Sequence, residues 1–215
     1  VTINTEILIT QLRTIHYNPA EFAGYKLPIT ENSEFPPFNL VFYRYIINNN
    51  CLPDAEQFID ECLSAYFTGD DLVYKIKING YDTATAHDLL SLKGRIGRTY
   101  PSLIRDFHFY LLCSESGKFQ KVEFSLRSDF FDGYDLKVTQ HDQLFYVSLH
   151  VATLRGDYFK QRKYVRHAYA AANEIVLRLD LNKMEKINDN FVTGEETLSL
   201  LINEIDKINN GNGKS

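Results

Sequence analysis

Three stretches of this chain hold residue types whose spacing suits anion or metal chemistry. The first is Lys93-Gly-Arg-Ile-Gly-Arg98-Thr-Tyr-Pro-Ser-Leu-Ile-Arg105-Asp106. Its two glycines free the backbone, and Arg95, Arg98 and Arg105 can fork onto phosphate oxygens at a helix start. Read blandly, the same segment is a turn whose arginines neutralise an acidic body, and the sequence weighs the two readings equally. It is neither a P-loop nor a GxGxxG fingerprint, because both glycine spacings are missing. The second stretch runs from Thr153 through Arg155, Lys160, Lys163 and His167, with the last three at helical spacing on one face. The third is Gly133-Tyr-Asp135-Leu-Lys-Val138, an acid entering a pattern of alternating polarity.

Several other groups are arranged less favourably. Asp129, Asp132 and Asp135 have calcium-like spacing, yet Gln140 stands where an EF-hand loop needs its twelfth-position glutamate. A turn with capping carboxylates is the simpler reading. His108 and His150 are followed two residues later by Tyr110 and Ala152, not by the Ser or Thr of a two-histidine phosphoesterase. The remaining histidines have no ligand spacing with each other or with Cys51, Cys62 and Cys113, and these three odd, scattered cysteines in apolar runs read as buried thiols.

The elements that would position these groups follow from periodicity. Apolar residues at helical spacing predict helices over 3–15, 38–47, 54–67, 83–93, 101–112, 157–173 and 195–208. Gly94 and Gly97 are expected to interrupt the chain between two of them. Alternation predicts a short strand over 72–78 and three antiparallel-capable strands over 118–126, 133–140 and 144–152, the last two joined at His141-Asp142-Gln143. A further strand over 174–181 is dense in Ile, Val and Leu. Residues 18–37, rich in Pro and Gly, read as a long surface connection and a candidate lid or partner-binding segment.

A chain of 215 residues with 44% hydrophobic and 24% charged content suits one α/β (α+β) domain. The expected division is a mostly helical extension over 1–93, a core over 94–181, a C-terminal helical segment over 182–208 and a tail over 209–215. No membrane span or export signal is evident, and a cytoplasmic setting is expected. The formal charge is −5, but residues 93 to 166 hold thirteen Lys or Arg against eight acids. An acidic body with a basic middle fits a local anion site.

The order helix, three strands, helix, strand over 101–181 resembles the common core of the PD-(D/E)XK, or restriction-endonuclease-like, nuclease superfamily. Asp135 stands where that family opens its second strand with an acid. The third strand of the family carries an acid, a spacer and a lysine, and here Ser148 and His150 occupy those places. The resemblance implies a magnesium- or manganese-dependent phosphodiesterase acting on or binding nucleic acid. It would use Asp135, Asp106 and Glu123 as metal ligands, and Asp135, Lys160, Lys163 and His150 as the catalytic set. Arg95, Arg98, Arg105 and Arg155 would clamp the backbone. The competing expectation is a catalytically inactive module with the same core, docking a larger protein complex through Phe35, Phe38, Phe42, Tyr43 and Tyr45.

Overall fold

The computed structural model describes residues 3–70, 72–124, 134–152 and 173–212. The chain is α+β and divides into two compact units, Val1–Ile104 with Ile187–Asn190, and Arg105–Lys186 with Phe191–Ser215. The sequence reading has one domain with an extension ending at residue 93; the division falls later, within a helix. No helix among the described residues is long and apolar enough to cross a membrane.

The first unit opens with helix α1 (Thr5–Leu12), capped where the Asn4 side chain accepts from the Ile7 N–H. Residues 18–37, expected as an open connection, contain two short helices, α2 (Pro19–Ala23) and α3 (Pro28–Asn32). Each starts on a proline, whose fixed φ and missing N–H suit a first helical position. Phe22 and Thr30 anchor them in the interior. Helices α4 (Phe38–Asn49) and α5 (Ala55–Tyr66) follow, the second opened by a capping box between Asp54 and Gln57.

An antiparallel sheet comes next, of strands β1 (Phe67–Gly69), β2 (Val73–Ile76) and β3 (Ala86–Asp88). The helix expected over 83–93 is thus a strand followed by helix α6 (Leu89–Gly97), because the Asp88 side chain caps at Ser91 N–H and starts the helix there.

Gly94 and Gly97 do not interrupt this helix; they lie inside it. A Cβ on Gly97 would stand 2.5 Å from the Phe22 ring, and one on Gly94 would stand 2.9 Å from the Tyr25 carbonyl oxygen. The glycines serve close packing of the 18–37 segment and not a phosphate loop. Arg98 completes the junction, donating to the carbonyls of Phe22 and Tyr25 and pairing with Glu31.

Phe38, Phe42 and Tyr43 are buried here, Phe42 edge-on to Phe58 and Tyr100. Tyr100, fully buried, donates to the Pro53 carbonyl at 2.6 Å. Three of the five expected docking aromatics are therefore interior residues of this unit.

Helix α7 (Tyr100–Glu115) leads into the second unit and its four-stranded sheet. The strands are β4 (Lys121–Glu123), β5 (Leu136–Gln140), β6 (Gln143–Val151) and β7 (Glu174–Leu179), adjacent in that order. β4, β5 and β6 pair antiparallel, and β7 runs parallel to β6. His141 and Asp142, both at positive φ, make the two-residue turn between β5 and β6.

Leu136, Val138, Phe145, Val147, Ile175 and Leu177 line one face of the sheet. Phe109 and Cys113 of α7 pack against them, as do Leu198, Leu201 and Ile205 of the last helix.

That helix is preceded by a hairpin where the sequence reading has helical structure over 182–208. Strands β8 (Glu185–Ile187) and β9 (Asn190–Val192) turn at Asn188-Asp189, again at positive φ, before helix α8 (Glu195–Asn212). Asn188 Nδ2 caps the end of α1 through the carbonyls of Leu12 and Arg13, at 3.0 and 2.7 Å. Short three-residue arms gave too little alternation to outweigh the helical run beyond them.

Gly97→Ala is expected to destabilise the protein by about 1–3 kcal/mol, the usual cost of overpacking. Gly24→Ala, whose Cβ would meet nothing within 4 Å, should shift the urea midpoint little. Equal shifts for the two variants would contradict the packing role.

Candidate functional site

Alternation of side chains along the strands assigns most polar groups of the four-stranded sheet to one side, with Gln140 and Gln143 at the turn end on the other. Val138 faces Phe145 and Leu136 faces Val147 across β5 and β6, so the residues between them turn away from the core. On that second face Glu123 is level with Lys137, Lys137 with Tyr146, and Tyr146 with Glu174. Farther along, Ser148 is level with Val176 and His150 with Arg178. Asp135 stands immediately before β5, where it and Leu136 both oppose Val147, so the pleat does not assign it to a face.

Asp135 is buried, and its backbone N–H donates to Val147 O at 2.9 Å, the carbonyl of the residue level with Leu136, which makes a bulge at the start of β5. Its Oδ2 accepts from the Leu149 N–H at 2.5 Å. The carboxylate is thereby fixed in direction by a backbone donor of β6. Lys137 lies with Nζ 5.2 Å from the centre of the Tyr146 ring, which also packs on Tyr134 at 4.8 Å. Glu123, on the exposed end of the row, pairs with Lys121 two residues back at 2.8 Å. His150 is buried, with 7% of its surface exposed, and Arg178 beside it is exposed.

Asp106 does not join this face. It stands on α7, one turn before Phe109, and α7 packs through Phe109 and Cys113 on the apolar side of the sheet. Arg105 grips Asp106 Oδ1 with Nε at 3.1 Å and Nη2 at 3.0 Å. Of the carboxylates expected to act together, Glu123 lies on the polar face of the sheet and Asp106 on the helix that covers the apolar one. Among the described residues, no group of three or more His, Cys, Asp or Glu is placed to hold a metal ion.

The arginines divide likewise. Arg95 and Arg98 belong to the first unit and Arg105 to the second. Arg98, with only 9% of its side chain exposed, is committed to Phe22, Tyr25 and Glu31. Arg155, Lys160 and Lys163 lie outside the described residues, as does the expected 157–173 helix up to its last residue, and so do Asp129 and Asp132.

Sequence reasoning missed Lys137, Tyr146 and Arg178 as members of the His150 face. Counting in twos from His150 along β6, and back from Val138 along β5, would have found the first two. Arg178 needed the parallel register with β7, which no local pattern carries.

His108 faces no reacting site. It is buried on α7 with Nδ1 3.1 Å from the Thr193 hydroxyl oxygen, and burial lowers its pKa from 6.5 to about 4. The unfolded chain then takes up this proton before the folded one does. Stability is complete above pH 6.5 and falls as pH drops towards 4, by about 3 kcal/mol in all. His108→Gln should flatten that part of a urea-midpoint-against-pH curve; a variant curve parallel to the native one would contradict the assignment.

Comparison with family models, with curated proteins and with solved structures returns no match to this chain.

Proposed function

We propose that the second unit is a restriction-endonuclease-like scaffold that binds nucleic acid on the Asp135 face and hydrolyses it with a divalent cation. The observation that carries the reading is the element order helix, three antiparallel strands, parallel fourth strand, with the Asp135 carboxylate held at the start of the second of those strands. Two oxygen ligands are a sufficient protein contribution for magnesium, which keeps several waters and takes others from phosphate. Asp135 and Glu123 would hold it, and Asp106 is withdrawn from the set. When bound, such an ion polarises a phosphate oxygen and makes water a better nucleophile.

The chain's own groups supply the rest. The Leu149 N–H orients the Asp135 carboxylate, so little ordering remains when a ligand arrives. His150, in the place where the resemblance has lysine, is buried on the polar face of the sheet and would orient water. Arg178 is level with it and exposed, and would meet a phosphate. Lys160, Lys163 and Arg155 remain in the proposal as basic groups on the segment that follows β6.

A catalytically inactive module is the second reading, and one observation favours it. Ser148 and His150 replace the acid and lysine of the family's third strand, while the Asp135 carboxylate already serves β6. Such a module would dock a partner complex, with Phe35 and Tyr45 the only two of the five aromatics named above that are not buried.

Labelled DNA and RNA incubated with magnesium or manganese separate the readings. Asp135→Asn keeps an acceptor for Leu149 and should remain folded, yet lower metal-dependent cutting by roughly a hundredfold or more. Asp135→Ala orphans that N–H and should also cost about 1–3 kcal/mol of stability. Salt-sensitive binding without cutting by the native protein would favour the inactive module, and absence of both would contradict nucleic acid as the ligand.

A further inference from the structure

The first unit contains a cavity of about 540 Å³, within the range that accommodates small organic molecules. Ile29 and Ile76 give it an apolar wall, and Tyr81, Glu34, Asp82 and His87 bring polar groups to it. Neither Lys nor Arg lines it.

Ser91 Oγ is 2.9 Å from the Asp88 carbonyl, to which it can only donate. With that proton used there, Thr30 Oγ1 is the donor in the 2.7 Å contact between the two hydroxyls, and His87 Nδ1, 3.4 Å away, donates to Thr30. In this relay Nε2 carries the lone pair. Nε2 is buried and has no hydrogen-bond partner, in a residue with 1% of its surface exposed. Phe35 packs on the ring at 5.1 Å between centres and fixes its plane. Burial also lowers the pKa of the imidazole, against the pull of Asp82, which favours the neutral form this relay requires.

Asp82 is held ionised. Its carboxylate accepts from the Thr85 hydroxyl and from the backbone N–H groups of Thr85 and Ala84, and its pKa is lowered by those bonds. The cavity therefore offers acceptors and negative charge beside an apolar wall: a neutral imidazole lone pair, the Asp82 carboxylate and the Glu34 carboxylate. Phosphate-bearing ligands meet repulsion there. A bare metal ion would leave most of the volume and the isoleucine wall unused.

From this geometry we infer that the cavity is a binding site for a small organic cation, an ammonium or guanidinium group on an apolar stem, which donates to His87 Nε2 and pairs with Glu34 and Asp82. A free amine and an arginine side chain of a protein partner share that chemistry. The site is independent of the nuclease reading, since every residue named belongs to the first unit.

Agmatine, a tripeptide with a central arginine and blocked ends, AMP and Zn²⁺ are the probes, titrated calorimetrically into the full chain and into Glu34→Gln and Asp82→Asn. Asp82→Asn keeps the amide oxygen that Thr85 and Ala84 need, and Glu34 is exposed, so both variants should fold. Saturable binding of agmatine or the tripeptide is expected, weakened roughly tenfold by either variant. Binding should also shift the His87 Nε2 resonance, which should be of the unprotonated type beforehand. Tighter binding of agmatine points to a free amine, and tighter binding of the tripeptide to a protein side chain; each supports the shared chemistry. Absence of both, preference for AMP or Zn²⁺, affinity unchanged in the variants, or a protonated Nε2 in the free protein would overturn the proposal.

Discussion

Where β6 runs past the start of β5, the N–H of Leu149 has no strand partner on that side, and the Asp135 carboxylate accepts from it at 2.5 Å. That bond determines much of what this face can do. It ends the β5–β6 ladder with a side chain in place of a backbone carbonyl, and it holds a carboxylate in a buried position against a backbone donor. The bulge at Asp135 sets that carboxylate at the start of β5, while the pleat beyond it turns Leu136 and Val138 into the core and fixes the register. A slip of one residue would exchange them, at the cost of the whole cluster packed by α7 and α8.

Positions on the face then follow from pairing. Glu123 arrives level with Lys137 because Val122 is level with Val138 in the core. His150 and Arg178 are level because β6 and β7 are parallel. Asp106 is excluded by the helix that covers the other side. The row Glu123, Lys137, Tyr146, Glu174 interleaves charges with an aromatic ring, which keeps like charges from facing one another directly.

Much of this second unit was legible in the sequence. Alternation located β5 and β6, and the turn at His141-Asp142 is where two residues able to adopt positive φ follow each other. The placement of Ser148 and His150 opposite the apolar positions follows from counting by twos. The segment around Lys93 to Asp106 was harder, because arginines and glycines serve phosphates and close helix packing equally well. Gly97 and Arg98 are explained by Phe22 and Glu31, some seventy positions away, and no local pattern carries that contact. The same holds for His87: its meaning rests on Thr30 and Ser91, brought together by helices α3 and α6. Short helices such as α2 and α3 lack the length for periodicity to declare itself.

The account makes Asp135 and Glu123 the ligand pair and leaves out Asp106, on the helix covering the apolar side of the sheet, and carboxyl ¹³C shifts during a magnesium titration read this directly. The prediction is a saturable shift at the side-chain carboxyl carbons of Asp135 and Glu123, with Asp106 unmoved. A shift at Asp106 together with them, or none at Asp135, would contradict it.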